Sequence, residues 1–321
     1  MRNGISVALG LLALAAATTA RAETAADRSC FARALPAEFR TERLDDIKLL
    51  VGWVFDIAAA GRKVMASEIV DRAAGLTDVP GFAGATNLSG LQGRYRVMRA
   101  PFDAGRGYLG VELGALDTDG QITSLILVNR LFRLPIVLQQ PLGLLTDIAT
   151  NGAMFGGWRT DALADAEAAA AQSLVDAETL RVPLLTAGQS QAGGEAQLQA
   201  AYLAATFPHR SVATGFVTLN AASVVASVRR LGLDPDLVGG TNFVKDLDPL
   251  FGPHGVLPNR MGFQTYIRPD GTGSAEPGNE TAYAALLHPG QHLLSEFNHL
   301  SLADALAAAL DASPDRCSRP G

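Results

Sequence analysis

Cysteine, histidine and long apolar runs are all scarce in this chain of 321 residues. Its two cysteines and five histidines are too few and too scattered to form the thiol and imidazole clusters that bind zinc. Only residues 1–22 contain a long apolar stretch, and the rest of the chain lacks the roughly 20 consecutive apolar residues that a membrane helix needs. The sequence therefore predicts no metal site and no integral membrane segment beyond residues 1–22.

Positive charge is also in short supply. The chain has 26 lysines and arginines against 32 aspartates and glutamates, which gives a formal net charge of −6. If Arg2 and Arg21 are lost with residues 1–22, which contain no acidic residue, the charge becomes −8. An acidic body repels the phosphates of nucleic acids. We therefore expect no nucleic-acid partner.

Residues 1–22, MRNGISVALGLLALAAATTARA, have the parts of a secretory signal peptide: an early arginine, an apolar run too short for a bilayer, and a terminal A-R-A cleavage pattern. We expect the signal to be removed and the mature chain to be secreted or periplasmic. In such an oxidising compartment, Cys30 and Cys317 are expected to pair as one disulfide that joins the two ends of the chain.

The predicted secondary structure of the remaining chain changes once, between residues 95 and 96. Residues 23–95 carry apolar residues at helical spacing, which predicts an N-terminal helical segment packed on the core. Residues 96–321 begin with β-type runs around an Asp-Gly turn and continue with strands that alternate with alanine-rich helices, for which Thr160 and Ser301 are predicted N-caps. This alternation predicts an α/β catalytic domain with a mostly parallel central sheet flanked by helices.

One serine stands at the end of a predicted strand, in LLTAGQSQAGG. Gly188 and Ala192 flank Ser190 at the positions where a nucleophile elbow needs small residues, because the strained turn brings backbone segments close together. A phosphate-binding turn is disfavoured, since the run has neither the dinucleotide spacing nor a Gly-Lys-Ser/Thr ending. The pattern predicts that Ser190 is a nucleophile and that the backbone N–H of Gln191 donates to the oxyanion.

A serine hydroxyl needs a histidine as base and an acid that orients this histidine. Asp246 and Asp248 both follow the predicted strand TNFV. We favour Asp248, because Pro249 fixes a turn there, and we expect Asp246 to be a solvated carboxylate. Among the histidines, His299 is favoured as the base because it directly precedes the predicted C-terminal helix, and His292 is the alternative.

Three motifs in succession resemble the core of the class 3-type lipases of the α/β-hydrolase superfamily: LLTAGQSQAGGEAQLQAAYLA, FVTLNAAS and NFVKDLDPLFG. The resemblance implies an α/β-hydrolase-like fold and hydrolysis of carboxylic esters through an acyl-enzyme, with no cofactor. The last motif matches the family's acid position at Asp248. The sequence departs from the family at Ala192, where glycine is usual, and at Leu131-Phe132, where the family has a hydroxyl that helps to hold the oxyanion.

Two other functions fit the same motifs. One is a catalytically inactive protein that binds a ligand or a protein with a hydrolase fold. The other is a thioesterase or amidase of the cell envelope. A serine, an acid and a histidine in family order favour catalysis on an ester. The apolar residues 131–145 are predicted either to border the acyl pocket or to form a buried connection.

Overall fold

The structure is a computed structural model that describes residues 39, 43–59, 91, 93–99, 108–129, 152–235, 238–250, 252–253, 261–279 and 297–312, with side chains only to residue 54 in the first helix. Several predictions from the sequence lie outside these residues: the signal peptide 1–22, the disulfide between Cys30 and Cys317, the segment 131–145 and the alternative base His292.

The core is an eight-stranded mixed sheet in which the strands lie side by side in chain order. The strands are β1 Tyr95–Arg99, β2 Gly110–Leu116, β3 Ile122–Asn129, β4 Leu184–Gln189, β5 Thr214–Leu219, β6 Gly240–Lys245, β7 Phe263–Ile267 and β8 Gly273–Ser274. The five strands from β3 to β7 are parallel. The prediction of a mostly parallel sheet therefore describes the centre of the sheet.

Both edges of the sheet are antiparallel, which makes the sheet as a whole mixed. β1 pairs with β2, β2 with β3, and β7 with β8 in this way. The β2–β3 and β7–β8 connections are short turns, and a turn of that length joins only antiparallel strands. In the first of them, the Asp117 carboxylate accepts hydrogen bonds from the backbone of Asp119 and Gln121 at 2.9 and 2.8 Å.

Helices cover both faces of the sheet. Within the described residues they include α1 Leu44–Ala59, α2 Asp161–Leu180, α3 Ser190–Thr206, α4 Val225–Arg230 and α5 Leu302–Asp311, and residues 152–156 are also helical. Apolar residues of α1 and α5 bury one face of the sheet, whereas α2 and α3 bury the other. No helix in the described part of the chain is long and apolar enough to cross a membrane.

The two predicted N-caps are present. Thr160 accepts a hydrogen bond from the backbone N–H of Leu163 at 3.3 Å and begins α2. Ser301 accepts one from Asp304 at 3.1 Å and begins α5. In both cases a hydroxyl satisfies an N–H group that the helix itself leaves without an acceptor.

The described part of the predicted N-terminal helical segment is α1, and a buried carboxylate docks it to the first strand. Asp46 accepts hydrogen bonds from the hydroxyl of Tyr95 at 2.6 Å and from the guanidinium of Arg94 at 3.1 Å, and it forms an ion pair with Arg94 at 2.7 Å. The apolar side of α1 reaches as far as β5 across the sheet. The N-terminus of α1 is therefore fixed to the core by both charge and apolar packing.

Candidate active site

Ser190 directly follows β4 and is the first residue of α3, at the carboxyl end of a central parallel strand. Its φ angle is 54°, whereas Gln189 before it is extended with a φ of −124°. The left-handed region is costly for a residue with a Cβ atom, by about 1–2 kcal/mol. Ser190 is half-buried. The strand-turn-helix setting predicted for this serine is therefore present, with the backbone strain that a nucleophile elbow requires.

Three glycines allow the backbone to approach itself around this turn. A Cβ atom on Gly188 would lie 2.3 Å from the carbonyl oxygen of Ala192. A Cβ atom on Gly193 would lie 2.7 Å from the Cβ of Ala221, and one on Gly194 would lie 3.1 Å from the nearest atoms. Ala192 itself is fully buried, so a methyl group is accommodated where the resembling family has glycine.

Gln191, the predicted oxyanion donor, is the second residue of α3. Backbone N–H groups of the first helical turn point out of the helix N-terminus, which here begins at Ser190. The Gln191 side chain is buried and donates a hydrogen bond to the Glu195 carboxylate at 3.2 Å. The sequence assigns no second oxyanion donor, and Leu131-Phe132, where the resembling family has a hydroxyl, lie outside the described residues.

Asp248 lies in a tight turn after β6, and its side chain is fully buried. Its carboxylate accepts a hydrogen bond from the backbone N–H of Leu250 at 2.7 Å, and its own N–H donates to the carbonyl of Lys245 at 3.0 Å. A Cβ atom on Gly252 would lie 2.5 Å from the Asp248 carbonyl oxygen. The turn therefore fixes the orientation of this carboxylate.

The prediction that Asp246 is a solvated carboxylate is wrong. Its side chain is fully buried. It accepts a hydrogen bond from the backbone N–H of Gly278 at 3.2 Å and lies 3.5 Å from the guanidinium of Arg268. Asp246 thus ties the end of β6 to the segment around the β7–β8 hairpin, which is a structural role.

A chain of hydrogen bonds runs along the carboxyl edge of the sheet from Ser190 towards Asp248. The N–H of Ala222 donates to the carbonyl of Ser190 at 2.8 Å. Asn220, with a φ of 43°, accepts the N–H of Lys245 on its side-chain oxygen at 2.9 Å. Asn220 and Ala222 both belong to the quoted motif FVTLNAAS, but the sequence alone did not indicate what they do.

His299 lies in the turn that precedes α5, and its side chain is exposed. Phe297, two residues earlier, is fully buried, and its ring centroid lies 5.6 Å from the ammonium of Lys245. This contact places the turn beside the end of β6. Ser190, Asp248 and His299 are all described, and no hydrogen bond joins His299 to either of the other two. The structure thus brings Ser190 and Asp248 to one edge of the sheet, and His299 is exposed.

A buried polar network lies beneath the elbow and was not predicted. The Tyr108 hydroxyl donates to the side-chain oxygen of Asn129 at 2.8 Å, and Asn129 donates to the side-chain oxygen of Gln199 at 2.7 Å. Gln199 also donates to the carbonyl of Ala166 at 2.9 Å. Burial raises the pKa of Tyr108 far above its usual value of 10.0, and the nearby Glu195 adds to the shift. The phenol therefore stays protonated while the network joins the last residue of β3 to α3.

No group of three or more histidine, cysteine or acidic side chains within the described residues is arranged to hold a metal ion. No model of a known protein family matches the chain, and no curated protein matches it. Similar solved structures include lipases. The native Rhizomucor miehei lipase propeptide complex is 10% identical and covers 81% of each chain, with a TM-score of 0.48.

A deletion mutant of the same Rhizomucor miehei complex is 11% identical, covering 81% of this chain and 79% of that chain with a TM-score of 0.44. The extracellular lipase LipA from Serratia marcescens is 10% identical, covering 80% of this chain and 50% of that chain, also with a TM-score of 0.44. Likeness at this level does not establish a function.

Proposed function

We propose that this chain is a serine ester hydrolase, a lipase or carboxylesterase of the α/β-hydrolase type. The observation that carries the proposal is the backbone of Ser190, which has a positive φ between a parallel strand and a helix. Strain of this kind persists only where the surrounding structure enforces it, and it is concentrated at functional sites. Gly188 and Gly193 permit the close packing around it, because any side chain at these two positions would collide with neighbouring atoms.

The proposed reaction proceeds through an acyl-enzyme. The Ser190 hydroxyl oxygen attacks the ester carbonyl carbon while His299 takes its proton, and the same imidazole returns the proton to the leaving alcohol. Asp248 orients the imidazole and stabilises its charged form. The backbone N–H of Gln191 donates to the oxyanion, and one such donor is typically worth about 3–4 kcal/mol in the transition state. Water then releases the acid by the reverse sequence of proton transfers.

The resemblance to class 3-type lipases supports a small-molecule or lipid ester as the substrate and requires no cofactor. The resembling motifs match the positions of Ser190 and Asp248 in this chain. We further propose that the protein is secreted or periplasmic, because residues 1–22 have the composition of a signal peptide.

The sequence motifs also fit a second candidate, a catalytically inactive binding protein with the same fold. The proposed base, His299, is exposed. A general base acts within hydrogen-bond reach of the proton that it abstracts, although this contact often tightens only with substrate present. The two candidates therefore differ in whether Ser190 is activated.

The reactivity of Ser190 towards a fluorophosphonate probe tests the proposal. The wild-type protein should be labelled at Ser190 and should hydrolyse a short-chain nitrophenyl ester. Ser190→Ala should lose both properties and keep its melting temperature. Folded wild-type protein that is neither labelled nor active would instead support the binding protein.

Two histidine variants identify the base. His299→Ala should lower kcat about 10³-fold or more, by analogy with the removal of other triad members, whereas His292→Ala should keep most of the activity. The reverse result would assign the base to His292.

A further inference from the structure

The turn that carries His299 is bound directly by α1, a helix more than 250 positions away in the sequence. We call residues 297–302 the histidine turn. The ammonium of Lys48 donates a hydrogen bond to the carbonyl of Leu300. The Asp45 carboxylate accepts one from the N–H of Leu302 at 2.6 Å and one from the hydroxyl of Ser301 at 3.2 Å. Two residues of α1 thus hold the three residues that directly follow His299.

These two side chains act as one charged unit. Lys48 is 8% exposed and lies 3.3 Å from the carboxylate of Asp45. A buried ammonium group without a partner is strongly disfavoured. Asp45 balances this charge, and the carbonyl of Leu300 accepts a hydrogen bond from the ammonium. Removal of either side chain should therefore also weaken the hydrogen bonds that the other one makes to residues 300–302.

The histidine turn is also held on its other side. Phe297 is fully buried, with its ring 5.6 Å from the ammonium of Lys245 at the end of β6. A cation at this distance from an aromatic ring is attracted to it. The backbone is therefore fixed at Phe297 and again from Leu300 onwards, and His299 lies between these two points. Because the imidazole itself is exposed, the backbone on both sides determines where it can reach.

We propose that Asp45 and Lys48 are positioning residues for His299. They hold the histidine turn so that the imidazole can meet the Ser190 hydroxyl and the Asp248 carboxylate when substrate is bound. The inference rests on the proposed function with His299 as the base. It assigns a role in catalysis to the N-terminal helix, which supplies none of the proposed reacting groups.

The next residue of α1 provides a matched control. Asp46 is 5% exposed and binds Tyr95 and Arg94 at the start of the sheet, and it makes none of the hydrogen bonds to the histidine turn. Asp46→Asn should therefore weaken the docking of the same helix and leave the histidine turn intact. A purely structural role for α1 predicts that variants at 45, 46 and 48 affect activity only through unfolding.

The experiment compares Asp45→Ala and Lys48→Met with Asp46→Asn in the full-length secreted protein, at a temperature where all variants are folded. We expect kcat for a nitrophenyl ester to fall about 10–100-fold in the first two variants, because a displacement of a catalytic group by about 1 Å can lower the rate up to about 100-fold. KM should stay within a factor of about two of the wild-type value. Lys48→Arg keeps a donor for Leu300 and should recover most of kcat. Asp46→Asn should lower the melting temperature without lowering kcat.

A second measurement does not depend on activity. Hydrogen exchange followed by mass spectrometry should show faster exchange in the peptide that contains residues 297–302 for Asp45→Ala, and unchanged exchange there for Asp46→Asn. If Lys48→Met does not fold, the partly exposed Asp45 carries the comparison alone.

The outcomes separate this inference from the proposed function. An unlabelled, inactive wild type with a protected turn would overturn the hydrolase proposal and with it the catalytic role of α1. An active wild type in which Asp45→Ala and Lys48→Met keep the kcat of Asp46→Asn would overturn the positioning role alone.

Discussion

The serine elbow and the histidine turn are built in opposite ways. The elbow, residues 188–194, is built from small residues close together in the sequence: Gly188 meets Ala192, and Gly193 packs against Ala221 of the next loop. The histidine turn has little regular structure of its own and is held by Asp45 and Lys48. One half of the proposed site therefore has a local sequence signal, whereas the other half has none.

This difference separates what a short motif can specify from what only the folded chain can specify. Small residues at fixed spacing allow the tight turn at Ser190, so a short motif indicates this turn in the sequence. The position of His299 depends on whether α1 docks correctly on the sheet. Changes at the tightest contact of the elbow should therefore abolish chemistry at the serine, whereas changes in the residues that hold the histidine turn should reduce it by degrees.

The largest effect is expected where the elbow is tightest. Gly188→Ala would place a Cβ atom 2.3 Å from the backbone oxygen of Ala192, which cannot move without displacing α3. We expect no detectable fluorophosphonate labelling and a loss of about 3 kcal/mol in the free energy of unfolding, at the upper end of overpacking costs. Labelling is read by mass spectrometry of the Ser190 peptide, and stability by urea denaturation.

Gly194→Ala is the matched control within the same motif. Its Cβ atom would lie 3.1 Å from the carbonyl oxygen of Ala222 and the sulfur of Met154, contacts that small shifts relieve. This variant should be labelled at close to the wild-type rate. Equal loss of labelling in both variants would show that the elbow is not shaped by contact distance.

The two aspartates after β6 are expected to have a smaller effect, and they differ from each other in kind. Asp248→Asn should lower kcat by about 10⁴-fold, the magnitude seen when a triad acid becomes an amide, because the imidazole then takes the wrong tautomer. Its stability should change little, since the amide oxygen can still accept the N–H of Leu250. Enzyme kinetics and thermal denaturation measure the two quantities separately.

Asp246→Asn should show the opposite pattern. This substitution removes the fully buried negative charge that pairs with Arg268, so the melting temperature should fall. The value of kcat should change less than about tenfold. If Asp246→Asn abolished activity and Asp248→Asn did not, the acid would be Asp246 and the hydrogen bonds described above would be incidental.

The sequence predicts the central strands and the helices beside them, because the alternation of apolar and alanine-rich runs is a local signal. It does not predict β7 or β8. Residues 263–267 are short, and their strand conformation depends on pairing with β6. The burial of Asp246 was missed for the same reason, since Gly278 follows 32 positions later in the sequence. The hydrogen bonds from Asp45 and Lys48 to the histidine turn join residues more than 250 positions apart, so no local sequence pattern predicts them.

The smallest effect compares two helix N-caps that are chemically alike. Ser301→Ala and Thr160→Ala each remove a hydroxyl that accepts a backbone N–H, at 3.1 and 3.3 Å respectively. Each loss should lower the free energy of unfolding by about 1 kcal/mol. Ser301 also donates to Asp45 and lies two residues from His299, whereas Thr160 caps α2 on the other face of the sheet. We therefore expect kcat to fall a few-fold for Ser301→Ala only, measured well below both melting temperatures. An equal fall of kcat in Thr160→Ala would mean that kcat follows the overall stability of the protein. The contacts of the histidine turn would then not explain the lower kcat of Ser301→Ala.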